Sequence, residues 1–261
     1  LVNLKPVDDF SNSDTLELKK LVDICHHNLS NSKECISYLK RRGLSDSIIS
    51  KYKLGYFPRS PSVLSNYVSD TLLQRLSIVE YSGSSKFSEY FYLIFPIFSE
   101  YNDPVGIGGR ALISEDSREI LNIPKYKNSS YKKSNYLYGL NNSRSAIFKS
   151  QNAYVVEGYF DQISLTANGV SNSVAICGTS FSKNHLLKLS RYTNKLTFIL
   201  DTDSAGISAM ERIKDKYIGH GVDLEFMSIP NKYKDIDEYF LDGNSKDDLK
   251  NDLKEFVFGW Q

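Results

Sequence analysis

From about residue 150 onward, short β-rich runs alternate regularly with helical stretches. Candidate strands AYVVE (153–157), SVAIC (173–177), LTFIL (196–200) and VDLEFMS (222–228) are separated by helical stretches over 160–168, 181–191 and 204–218. In the last of these, Ile207, Met210, Ile213 and Tyr217 fall on one face. Strands spaced by whole helices predict parallel neighbours, because a parallel connection must travel back along the sheet before the next strand can begin. In such a sheet, ligands collect outside the carboxyl ends of the strands. That edge is where the chain places its acids.

The first half reads differently. Leu18, Leu21, Val22 and Ile24 have helical spacing within a helical region over 16–52, and Ser45 is an N-cap ahead of Ile48 and Ile49. YKLGYFPRSPS (52–62) is a loop broken by Pro58 and Pro61. YFYLIFPIF (90–98) and VGIGGRALI (105–113) predict two antiparallel strands joined at Asn102-Asp103-Pro104. The fold class expected is α/β, with a mixed α+β subdomain over 1–145 followed by a Rossmann-like, mostly parallel subdomain over 146–261.

With 41% hydrophobic and 24% charged residues, the chain has the composition of an ordinary globular protein and not of a disordered one. No apolar run approaches the roughly 20 residues of a membrane span, and LVNLK at the start lacks a signal-peptide pattern. Three cysteines, Cys25, Cys35 and Cys177, form an odd, sparse set that suits a reducing compartment. Cys25, His26, His27 and Cys35 lack the paired spacing of a zinc site, so no zinc is expected in this chain. Cys177 is read as a small buried strand residue, and His185 and His220 as surface helix residues. GIGG (106–109) lacks the full dinucleotide fingerprint and reads as a strand turn exposing Arg110.

The net charge of +1 conceals an uneven distribution. Between Ile120 and Val156 there is no Asp or Glu, while Lys125, Lys127, Lys132, Lys133, Arg144 and Lys149 alternate with Tyr126, Tyr131, Tyr136, Tyr138 and Phe148. Cations grip phosphates and tyrosine rings stack on unpaired bases, although a charge run can also be a solvated loop.

The acids come in pairs: Glu157 and Asp161, Asp201 and Asp203, Asp235 and Asp237. Each pair alone could be a turn or helix cap. Together, parallel strands would bring all of them to one edge, where mutual repulsion raises pKa values and a hard divalent cation such as Mg²⁺ relieves it. Gly158 and Gly206 beside them permit close backbone approach.

VVEGYFD, LDTDSAG and KDIDEYF resemble the three acidic motifs of the Toprim fold of DnaG-type bacterial and phage primases, topoisomerases and some nucleases. Upstream, VGIGGRAL (105–112), PKYKNS (124–129) and YKKSNYLYGL (131–140) are similar in order and spacing to the basic motifs that precede Toprim in the primases. YLKRRGLSDSIISKYKLGYFP (38–58) and CGTSFS (177–182) extend the similarity from about 30 to 245. Ile236, Thr202 and Phe160 stand where Pro, Gly and Met are usual, and no carboxylate is lost.

The resemblance implies a DNA primase catalytic core, with the second subdomain its Toprim part, joining NTPs into short RNA primers on a single-stranded DNA template by two-metal nucleotidyl transfer. It implies two Mg²⁺ (or Mn²⁺) ions held by Glu157, Asp201, Asp203, Asp235 and Asp237. The catalytic set would be Glu157, Asp161, Asp201 and Asp203, with Glu157 and Asp161 as further ligands or a proton acceptor. Arg110, Lys125, Tyr126, Asn128, Lys132 and Lys133 would contact template or nucleotide phosphates. The expected partners are a replicative helicase and a zinc-binding module on the same or another chain, with no membrane. The expected setting is the cytoplasm, in a bacterial nucleoid or a phage-infected host, and the chain reads as a core cut from a longer protein or a minimal phage-like primase. The alternatives are a Toprim nuclease or topoisomerase-type fragment, and a catalytically silent nucleic-acid or nucleotide-binding module.

Overall fold

Ser11 and Asp14 start the first helix by capping each other: the Asp14 N–H donates to Ser11 Oγ (3.1 Å) and the Ser11 N–H to the Asp14 carboxylate (2.9 Å). A computed structural model describes residues 9–178 and 180–258, so Leu1–Lys5 and Thr179 of CGTSFS lie outside the described residues. Backbone contacts divide the chain into two units, residues 1–132 and 133–261.

In the first unit the helical region resolves into α1 (Asn12–Asn28), α2 (Lys33–Arg41) and α3 (Asp46–Lys51). Serine caps restart the helix each time: Ser32 accepts from the Cys35 N–H (3.2 Å) and Ser45 from that of Ile48 (3.3 Å). The short strand β1 (Gly55–Tyr56) lies within the stretch expected to be a loop. It is followed by α4 (Asp70–Arg75), α5 (Lys86–Glu89), β2 (Leu93–Phe98), β3 (Pro104–Arg110), α6 (Glu115–Ile120) and β4 (Tyr126–Asn128). The sheet is antiparallel in the order β1-β2-β3-β4. The GIGG segment lies inside β3 and is not a turn, and Arg110 is only 8% exposed. The physical reason is crowding. A β-carbon on Gly109 would stand 2.2 Å from the Phe91 carbonyl oxygen, and one on Gly106 would stand 2.6 Å from Ser129 Oγ. The core packs Leu18, Leu21 and Cys25 of α1 against Phe57, Phe87, Phe91, Ile94 and Ile107.

The second unit contains α7 (Leu140–Ser150), β5 (Ala153–Val156), α8 (Tyr159–Ala167), β6 (Ser173–Ala175), α9 (Lys183–Leu189), β7 (Lys195–Phe198), α10 (Ser204–Tyr217), β8 (Asp223–Ser228), α11 (Ile236–Leu241), α12 (Lys246–Asp252) and β9 (Lys254–Glu255). Its sheet order is β6-β5-β7-β8-β9, parallel throughout except for β9, which runs antiparallel to β8. A boundary at 145/146 falls inside α7, whose Leu140 and Ile147 belong to the second core. Val155, Val174 and Phe198 meet Met210, Ile213 and Tyr217 of α10 there, and Phe198 stacks on Phe226 at 5.3 Å. Truncating Phe198 to Ala would cost about 3–5 kcal/mol through lost burial and the cavity left behind.

His185 departs from the surface reading, since it is 0% exposed. The Ser182 N–H donates to its Nδ1 (3.2 Å) and its Nε2 meets the Lys133 carbonyl oxygen (3.0 Å), so burial leaves neither ring nitrogen unbonded. His220 lies beyond the end of α10 and is exposed. Cys177 is buried with φ +47, just past the end of β6. Among the described residues no helix is long and apolar enough to cross a membrane.

Candidate active site

β5 and β7 are parallel neighbours; Glu157 directly follows β5, and Asp201 follows β7 after Ile199 and Leu200. β8 leads by a longer loop into Asp235. Asp201 is where the acids converge. Burial and then the charges of Glu157, Asp161, Asp235 and Asp203 push its carboxyl up to about 7. Glu157 is raised as well, by burial and the Asp203 charge, against the opposing pull of the Asp201 backbone N–H and Lys234.

Tight loops hold these groups in place. Asp203 caps α10, accepting from the Ala205 and Gly206 N–H groups at 3.0 Å each. Asp235 caps α11, accepting from the Glu238 N–H at 2.8 Å. Thr202 ties the two loops together, its N–H donating to the Lys234 carbonyl (3.3 Å) and its hydroxyl to that of Tyr233 (3.3 Å). Glycine, usual here by the family resemblance, could not make the hydroxyl bond. Sequence reading missed this link, and it missed Lys234, whose only signal was a cation next to Asp235.

Asp161 and Asp237 sit deeper, at 7% and 1% exposure. Asp161 accepts from the Gly158 N–H (2.8 Å) with one oxygen and from the Asp237 N–H (3.3 Å) with the other. Asp237 in turn accepts from the Ser164 hydroxyl. These bonds join α8 to α11 beside the acidic edge. Asp203 is exposed, while Glu157, Asp201 and Asp235 are partly so.

The donor set suits a hard divalent cation, being all carboxylate oxygen and carrying more negative charge than its surroundings offset. Its coordination is not preformed. Among the described residues no group of three or more His, Cys, Asp or Glu side chains is arranged to hold a metal ion. The fit is therefore one of charge and ligand chemistry.

The basic residues divide between the units. In the first, Arg110 and Tyr126 are cross-strand partners, and the guanidinium lies 5.0 Å from the Tyr126 ring centre and 5.2 Å from that of Tyr38. Asn128 is partly buried opposite Gly108, while Lys125 and Lys132 are exposed. In the second, Lys133 is half-buried, its ammonium lowered by desolvation, and its carbonyl bonds His185.

A parallel sheet with carboxylates crowding its carboxyl edge defines the second unit as Toprim-like, and a family model of that description matches residues 154–240. The model for the N-terminal domain of the DNA primase catalytic core matches residues 24–144. The chain belongs to the DnaG-type primase core family. It is 35% identical over 224 residues to the DNA primase of Synechococcus elongatus, covering 78% of this chain and 31% of that one. The DNA primase of Aquifex aeolicus is 29% identical over 238 residues, covering 89% and 47%. The chain thus spans less than half the length of these relatives. Among solved structures, the zinc-binding and RNA polymerase domains of the Aquifex aeolicus primase superpose with a TM-score of 0.79 at 27% identity, over 95% of this chain and 63% of that one. The DnaG primase catalytic domain bound to ssDNA superposes with a TM-score of 0.78 at 26% identity, over 92% and 79%.

Proposed function

We propose that the chain is the catalytic core of a DNA primase, a nucleotidyltransferase that joins NTPs into short RNA on a single-stranded DNA template. The observation that carries this reading is the convergence of Glu157, Asp161, Asp203 and Asp235 on Asp201, which leaves a strongly negative edge on a Toprim sheet. Glu157, Asp201, Asp203 and Asp235 would hold two Mg²⁺ or Mn²⁺ ions, with Asp237 completing the set from the buried side. Bound there, the ions supply neutralisation of the triphosphate and acidify the attacking hydroxyl.

The chain's own side chains do the rest. Glu157, a partly buried carboxylate at this edge, would be a further metal ligand or the acceptor of the 3′-hydroxyl proton. Asp161 holds the Gly158 turn by accepting from the Gly158 N–H, ties it to α11 by accepting from the Asp237 N–H, and would so position Glu157. The exposed Lys125 and Lys132 would meet template phosphates, with Tyr126, Asn128 and Arg110 on the same unit and Lys133 on the other. The partners in this reading are the template, NTPs, a replicative helicase and a zinc-binding module, and the setting is the bacterial cytoplasm, chromosomal or phage-infected.

The test is synthesis. Purified chain with single-stranded template, NTPs and Mg²⁺ or Mn²⁺ should make short RNA, alone or with the zinc module supplied in trans. Template cleavage without synthesis would favour a Toprim nuclease, and neither product would leave a silent binding module.

A further inference from the structure

Tyr38 lies in YLKRRG (38–43), in the last turn of α2, and three guanidinium groups gather round its ring. Those of Arg41, Arg42 and Arg110 stand 5.9, 5.5 and 5.2 Å from the ring centre, within the reach of about 6 Å for a cation–π contact. Arg41 and Arg42 have a local reason to be there. They follow Tyr38 by three and four residues, which puts them on its side of the helix, and the backbone dipoles of a helix C-terminus favour cations. Arg110 has no such reason. It ends β3, far along the chain, and its arrival at the same ring is a product of the fold.

Two rings from two elements hold the Arg110 side chain. Tyr126 is its cross-strand partner on β4: the guanidinium donates to the Tyr126 hydroxyl and lies 5.0 Å from the ring centre. Buried Phe95 braces the Tyr126 ring edge to face at 6.1 Å. Tyr38 closes in from α2, and its own hydroxyl accepts from the Arg42 Nε–H at 3.0 Å, which fixes the ring in turn. Arg110 is thereby left 8% exposed. An arginine that grips a phosphate from the open surface must give up rotamer freedom to do so, and one already packed has given it up in folding. A carboxylate would also immobilise the group but would cancel its charge. A phenol ring leaves the charge available to an anion.

We propose that Tyr38 is a positioning residue for Arg110: packed on the guanidinium, it holds the charge where a phosphate of the single-stranded template meets it. Arg42, bonded to the Tyr38 hydroxyl, steadies the ring. The assignment rests on the reading of Arg110 as a template contact and adds α2 to the elements that build it. Its consequence is specific. Removing an uncharged side chain should change an electrostatic property of binding, and should do so only while Arg110 is present.

The experiment measures binding of a single-stranded DNA oligonucleotide to the full chain over a range of salt. Tyr38→Leu should weaken binding about 5- to 30-fold, the worth of a cation–π contact to a largely desolvated cation. It should also lower the salt slope by up to about 0.7, the share of one single-strand phosphate, as Arg110→Ala does. Tyr38→Phe keeps the ring and should recover most of the loss. In the Arg110→Ala background, Tyr38→Leu should have almost no further effect, as expected of two residues acting as one unit. Circular dichroism confirms folding, and Tyr38→Gln, which also lacks a ring and suits a half-exposed helix position, repeats the test should Tyr38→Leu fail to fold. No oligonucleotide binding by wild type, or unchanged affinity in Tyr38→Leu or Arg110→Ala, overturns the proposal. An equal loss in the two backgrounds also overturns it and makes Tyr38 a contact in its own right. A chain that shows the coupling yet makes no RNA refutes the proposed function and leaves Tyr38 in its role. RNA synthesis without the coupling does the reverse.

Discussion

A β-carbon on Gly206 would stand 2.2 Å from the carbonyl oxygen of Asp201 and 2.9 Å from its carbonyl carbon. The start of α10 and the main acidic loop are therefore pressed together, backbone against helix, and neither can yield without moving the carboxylates. Gly206→Ala should destabilise the fold by about 1–3 kcal/mol, as overpacking does. Because the displaced atoms belong to Asp201, it should also weaken Mg²⁺ binding. Urea denaturation and metal titration check both, and a variant indistinguishable from wild type in each would contradict this picture of the loop.

Thr202 offers a milder probe of the same place. Its hydroxyl reaches the carbonyl of Tyr233 at 3.3 Å, linking the Asp201 and Asp235 loops. Thr202→Val keeps the shape and removes the hydroxyl, so it should cost about 0.5–1.5 kcal/mol in denaturant unfolding. No loss of stability would mean that the link is incidental.

Much of this architecture was legible in the amino-acid order, for a reason visible in particular residues. Val155, Val174, Leu196 and Phe198 lie in short buried runs bounded by turn residues, and Met210, Ile213 and Tyr217 repeat with helical spacing, so both periodicities survived in the sequence. Glu157 and Asp201 stand within a few residues of strand ends, where topology alone brings them together. What stayed hidden depends on partners far away in the chain. β4 is only Tyr126–Asn128, and its pairing with glycine-rich β3 leaves no alternation to read. Asp237 looks like a solvent-facing acid until the Ser164 hydroxyl, 73 residues earlier, is placed against it. His185 has helix neighbours that suit a surface position, and only the Ser182 and Lys133 backbone groups explain its burial.

Asp201 predicts how the fold responds to pH. An unfolded chain releases this proton near 3.8, whereas burial and the neighbouring carboxylates hold it to about 7 in the folded chain. The folded state therefore gains from the held proton at low pH and loses that gain as pH rises through 7. In chelator, the thermal midpoint should fall between pH 6 and pH 8, and Asp201→Asn, which stays neutral, should lack that component. Mg²⁺ should raise the wild-type midpoint more at pH 8 than at pH 6. Equal effects at the two values would show that the acids do not interact as described.

His185 predicts the opposite sign. Burial, with the nearby Lys188 charge, lowers its imidazole from 6.5 to about 4 against the pull of the Lys133 and Tyr136 backbone, and protonation at Nδ1 would forfeit the bond from the Ser182 N–H. The unfolded chain takes up the proton first. The contribution of this side chain is complete above pH 6.5 and is lost as pH falls toward 4. Wild type should lose up to about 3 kcal/mol more than His185→Gln over that range. Parallel stability curves from pH 8 to pH 4 would argue against a buried neutral ring.

If the carboxylates gathered on Asp201 carry RNA synthesis, removing Asp201 and Asp203 must abolish it while the fold survives. The most direct measurement is incorporation of labelled NTPs on single-stranded DNA by wild type and by Asp201→Ala/Asp203→Ala, with the zinc module in trans and circular dichroism to confirm folding. Wild type should make short RNA and the folded double variant none. Equal synthesis by the two would contradict the role given to these carboxylates.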